Sequence, residues 1–156
     1  MVDQHQSRPS SPHTLPATTH SYLIRAAESL SEAVGARDVP TRYACAHVAA
    51  LRAAAALLSA RARPEAARPG RRRRPQRNAW VLLTEVAPEL SEWAVYFAAG
   101  ASKRAAAEAG STRAVTDREA DDLVREADRF LAVVEQALGL VPHLAVGNRL
   151  AGRAAG

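Results

Sequence analysis

Apolar residues recur along this chain at the spacing of a helix face. From Ser21 to Ala36, the residues Leu23, Ala26, Ala27, Leu30, Ala33 and Val34 fall on one stripe, the repeat of a helix that buries one side. A second helix is predicted from Asp38 or Thr41, either of which can cap it, to about Arg61, with Pro40 tolerated in its first turn. Its inward positions are Tyr43, His47, Ala50, Leu51, Ala54, Leu57 and Leu58. A third stretch runs from Asn78 to about residue 109 and carries Trp80, Leu83, Val86, Leu90, Trp93 and Phe97. Pro88 predicts a kink there or a division into two helices. The last helix is expected over 117–138, opened by Thr116 and Glu119 as a capping box and closed by Gly139. Ala120, Leu123, Ala127, Phe130, Leu131, Val134 and Leu138 form its stripe.

Between and beyond these stretches the pattern fails. Residues 1–18 and 140–156 have no sustained apolar period, and Pro64, Pro69, Gly70 and Pro75 interrupt residues 61–77, so these segments read as tails and a loop. The fold class expected is all-α: a compact up-and-down bundle of four to five helices over residues 19–139, with disordered termini and no sheet.

Composition supports one helical domain. With 36 alanines and only 4% aromatic residues in 156, the core must come from closely approaching helices, and a β-sandwich lacks its usual residues. The lone Cys45 excludes an internal disulfide and a cysteine-built zinc site. The N-terminus has no cationic segment followed by an apolar run, and the longest apolar runs, 43–51 and 53–58, are broken by Arg52. These features predict a cytoplasmic protein without a membrane span.

Charge changes the picture locally. Residues 61–77 hold eight arginines against the single Glu65, and the remainder has 13 basic and 15 acidic residues, so the net +5 comes from one segment. Arg71, Arg72, Arg73, Arg74 and Arg77 are candidate contacts to RNA, DNA or another polyanion, with a sequence-nonspecific contribution. The alternative is a solvated loop in an arginine-biased proteome, since Lys103 is the only lysine. Trp80, Trp93, Tyr96 and Phe97 fall at helical spacing and read as core or dimer surface. Asp117, Glu119, Asp121 and Asp122 crowd the first turns of the last helix as a charged outer face, with Asp121 and Arg125 at pairing distance.

Glycine-rich phosphate loops, His-Glu-x-x-His pairs, calcium loops and nucleophile elbows are all absent, so no metal or cofactor is expected. What remains is Arg42 and His47, separated by four residues at the start of the second helix. The stretches TRYACAHVAALRAAAALLSAR, NAWVLLTEVAPELSEWAVYFAAGASKRAAAEAG and VTDREADDLVREADRFLAVVEQAL resemble an actinobacterial branch of the HEPN (higher eukaryotes and prokaryotes nucleotide-binding) superfamily. The resemblance implies a dimerising helical bundle, and in many members a metal-independent endoribonuclease with an Arg-x4-6-His motif, of the toxin, defence or RNA-processing type. A cognate antitoxin or other neighbouring-gene partner is implied with it. On that reading His47 moves protons around the ribose 2′-hydroxyl and Arg42 stabilises charge on the phosphate, with RNA as substrate. Five residues turn a regular helix by about 140°, so one chain holds half a site and catalysis calls for a homodimer. The competing reading makes His47 a hydrogen-bonded core histidine and Arg42 a solvated first-turn residue, in a non-catalytic HEPN module that binds RNA, a nucleotide or a partner protein.

Overall fold

The computed structural model describes residues 14–62 and 78–146. Among them are six α-helices, one short 3-10 turn and no strand, the all-α bundle that the apolar period predicts. Helix α1 (Ala17–Gly35) begins four residues before Ser21, following Pro16, whose fixed φ suits the approach to a first turn. Helix α2 (Val39–Arg61) starts from Asp38, whose carboxylate accepts the Thr41 amide at 3.0 Å, with Pro40 in the first turn. The Thr41 hydrogen bonds hold the Asp38 carboxyl below its ordinary pKa. Helix α6 (Asp117–Ala137) has the expected capping box, Glu119 N–H to Thr116 Oγ1 at 3.1 Å and Thr116 N–H to Glu119 Oε2 at 2.8 Å.

The stretch expected as one helix, kinked or divided at Pro88, is three. Helix α3 (Ala79–Val86), opened by Asn78 accepting the Trp80 amide at 2.9 Å, stops before Pro88. The 3-10 turn Pro88–Leu90 leads into α4 (Ser91–Ala99), and Gly100 separates α4 from α5 (Ala101–Glu108). The first break follows from the missing N–H of proline. At the second, glycine lets the chain pass close to α2: a Cβ at Gly100 would lie 2.8 Å from Tyr43 Oη, so a larger residue would have to displace the phenol.

Helices α1 and α2 are antiparallel neighbours. Thr19 near the start of α1 shares a 2.8 Å hydrogen bond with Ser59 near the end of α2, and Arg52 Nη1 donates to Ser29 Oγ at 2.6 Å in the middle. Helix α2 packs against α1, α3, α5 and α6 and is the centre of the bundle. Ala46, Ala49, Ala50, Ala53, Ala54 and Ala56 on it are all buried, and their small side chains let the neighbouring helices approach closely. As a continuous 23-residue helix it is long and apolar enough to cross a membrane, which the runs broken at Arg52 did not suggest; half of its most apolar window is buried inside the bundle. Most of the aromatic part of the core comes from the other helices: Trp80, Trp93, Phe97 and Phe130 form a cluster with neighbouring ring centroids 5.2 to 6.2 Å apart. Tyr96 is 44% exposed at the rim of this cluster, its ring edge-on to Phe97 at 5.1 Å.

Candidate functional site

Arg42 and His47 leave α2 in different directions, toward different partners. His47 is 2% exposed. Its Nε2 lies 2.9 Å from the Phe97 carbonyl oxygen, an acceptor, so the proton sits on Nε2 and Nδ1 keeps a lone pair. Nδ1 is buried and has no hydrogen-bond partner among the described residues. Trp80 and Phe97 present their rings edge-on to the imidazole, at 6.1 and 6.4 Å between centroids. Burial pushes the His47 pKa below its ordinary value. The Phe97 carbonyl opposes that shift, Arg104 adds to it and Glu108 works against it. His47 is therefore a neutral imidazole at physiological pH.

Phe97 can offer its carbonyl because α4 ends there: the same oxygen takes the Gly100 amide at 3.1 Å. Gly100 also brings the α4–α5 junction against Tyr43 and His47, with a Cβ position 3.5 Å from His47 Cδ2. Beside this junction an open groove of about 360 Å³ is lined by Tyr43, Tyr96, Gly100, Lys103, Glu119 and Asp122. Lys103 and Glu119 form an ion pair across it, which raises the lysine pKa and lowers the glutamate pKa. Burial raises the Tyr43 phenol.

Arg42 is 7% exposed, not the solvated first-turn residue of the competing reading. Its Nη1 donates to Asp117 Oδ1 and, at 2.9 Å, to Asp121 Oδ1, while Nε and Nη2 reach the carbonyl oxygens of Ala36 and Arg37 at 3.4 Å. One guanidinium thus ties the α1–α2 connection to the first turns of α6. The carboxylates sit at the positive end of the α6 dipole, where negative charge is favoured even without Arg42. This revises the expected pairing on α6, because Asp121 is engaged by Arg42 and Arg125 pairs with Asp122 at 3.1 Å.

Arg71, Arg72, Arg73, Arg74 and Arg77 lie outside the described residues. Arg61, at the near edge of that segment, pairs with Glu89 at 2.7 Å. No group of three or more metal-ligating side chains occurs among the described residues. A further polar cluster escaped the sequence reading: Asp128 and Glu135 on α6 hold His143 from the segment after it. Its one sequence signal is Asp128 itself, an acid one turn beyond Val124 on the row that continues to Leu131, all three buried.

No curated protein and no solved structure matches the chain significantly. The SAV_6107-like HEPN family matches residues 33–135, more than half of its length. That match spans α2 through nearly all of α6, so the chain belongs to the SAV_6107-like HEPN family.

Proposed function

We propose that this chain is a non-catalytic HEPN module that binds RNA through the arginine-rich segment 61–77, and in which Arg42 and His47 hold the bundle together. The observation that carries the reading is the state of His47. A general base must come within hydrogen-bond reach of the proton it removes. Here Nε2 is occupied by the Phe97 carbonyl, and the free lone pair on Nδ1 is enclosed in a side chain that is 2% exposed. Arg42 supports the same reading, since each of its three nitrogens already has an oxygen partner. Binding draws its support from charge: eight arginines in seventeen residues would displace counterions from any RNA backbone.

The test joins cleavage and binding on one preparation. Purified full-length protein incubated with single-stranded RNA in EDTA is expected to leave it intact, with no 2′,3′-cyclic phosphate ends. Fluorescence anisotropy against salt should show binding that is similar for unrelated sequences. Replacing Arg71 to Arg74 by serine should flatten its log-log salt slope by about 3. EDTA-resistant cleavage that disappears in a folded His47→Ala protein would overturn this reading in favour of the endoribonuclease, with a homodimer completing the site. Unchanged binding in the four-serine protein would remove the RNA-binding half.

A further inference from the structure

We propose that residues 140–146 form a pH-operated clasp on α6, closed when His143 is an imidazolium held between Asp128 and Glu135 and open when the ring loses its proton. The inference does not depend on the proposed function.

The clasp is built from the end of α6 outward. Gly139 has φ +77, the left-handed conformation that reverses the chain after a helix, and the Leu140 amide closes the turn on the Glu135 carbonyl at 2.9 Å. The segment then runs back along the helix: His143 meets Glu135 and Asp128, and three residues later the Val146 amide donates to Asp128 Oδ2 at 3.2 Å. Asp128 and Glu135 are seven residues apart, about two turns, and so share one face of α6. The imidazole bridges that spacing, Nδ1 toward Glu135 Oε1 and Nε2 toward Asp128 Oδ1.

Each ring nitrogen therefore faces a carboxylate oxygen. A carboxylate only accepts, and a neutral imidazole has one N–H. Deprotonation does more than weaken the bridge: it turns one hydrogen bond into a lone pair against a carboxylate oxygen at contact distance. Asp128 is buried, 6% exposed, so its charge needs this partner. From the other helices, no hydrogen bond or ion pair reaches the ring among the described residues, and the charged groups that act on it are Asp128 and Glu135 of α6. Partial burial lowers the His143 pKa, but the hydrogen bonds to Asp128 and Glu135 and their charges outweigh it, so the net shift is upward. A raised folded-state pKa means that the clasp is fully favoured below the ordinary histidine value of about 6.5 and loosens as pH rises through the His143 midpoint above it. What the clasp holds down is Val146, half-buried against the core, while Val141 and Leu144 point to solvent on the same segment.

The experiment follows two probes on the full chain: the His143 ring resonances by NMR, and the Val146 amide by hydrogen exchange expressed as protection factors from pH 5.5 to 9. His143 should titrate above 6.5, and Val146 protection should fall at least tenfold across that same midpoint while far-UV circular dichroism stays constant. Glu135→Gln should lower the His143 midpoint. His143→Gln should leave Val146 unprotected at every pH, with the helices intact. Equal protection at pH 6 and pH 9 would overturn the clasp, as would a pH-dependent loss that survives in His143→Gln.

Discussion

His47 and His143 are the same side chain in two opposite electrical settings. His47 sits at the α2–α4 contact among Trp80, Phe97 and Tyr43, with one carbonyl as its polar partner, and burial lowers its pKa. His143 sits at the edge of the bundle between two carboxylates, and its pKa is raised. Desolvation acts on both rings in the same direction, against the charged form. What separates them is whether anions stand within hydrogen-bond reach, and that is a matter of which helix face each residue meets. One histidine is a neutral core residue that one backbone oxygen orients, and the other is drawn toward the charged form by two carboxylates that fasten the segment after α6.

The contrast can be broken most forcefully in the core. Phe97→Ala removes a fully buried ring that packs on Trp80, Trp93 and Phe130 and helps enclose the imidazole. It should cost about 3 to 5 kcal/mol in denaturant unfolding, and a loss below 1 kcal/mol would show that the aromatic cluster does not seat His47. His47→Ala should cost about 1 to 3 kcal/mol through a small cavity and the lost bond to the Phe97 carbonyl. His47→Leu, which fills the space, should recover part of that loss, the outcome a purely catalytic residue would not give.

Arg42→Ala comes next, at about 1 to 2 kcal/mol. A buried guanidinium is lost, but Asp117 is largely exposed and Asp121 half-buried, so both carboxylates can be rehydrated and the penalty stays below that of stranding a buried charge. If the arginine were free for a phosphate, Arg42→Ala would leave the unfolding midpoint unchanged. Acidification probes the sign of the comparison. Because the folded-state pKa of His47 is depressed, its contribution is fully present above the ordinary value of about 6.5 and is lost as pH falls toward its lowered value. Global stability should therefore fall on going from pH 7 to pH 5, and His47→Leu should flatten that fall, while Val146 protection stays high over the same interval. The smallest expected effect is on global stability in His143→Ala, about 0.5 kcal/mol or less, because the partners of Asp128 outside α6 come from the segment 143–146, so releasing that segment lets water reach the carboxylate and leaves the helices assembled. A fall of 2 kcal/mol or more would mean that residues 140–146 belong to the cooperative core.

The local signals in this sequence were strong where one helix could be read by itself. The pattern places the end of the second helix near Arg61, where α2 ends, and the last helix over 117–138, where α6 spans Asp117–Ala137, because caps and a 3.6-residue apolar period are properties of a short window. The break at Gly100 is not legible: Ala98 to Ala109 is rich in helix formers, and the advantage of glycine arises from Tyr43, 57 positions earlier, whose Oη lies 2.8 Å from where a Cβ would stand. Arg42 was equally opaque. A first-turn arginine looks solvated or functional from its neighbours, and only the packing of α6 on α2 brings Asp117 and Asp121 to it across 75 and 79 positions of sequence.

By itself, then, the amino-acid order determined the helices, the all-α class and the charge concentrated in residues 61–77. Tertiary structure alone decided what each polar side chain among those helices does. Periodicity and capping are short-range, whereas the protonation and engagement of Arg42, His47 and His143 depend on burial and on acceptors that arrive from other parts of the chain. His143 illustrates the reason: in a stretch without apolar period it read as part of a loose tail, yet the turn at Gly139 lays it over two acids on a single face of α6, an arrangement that exists only once the chain has folded back on itself.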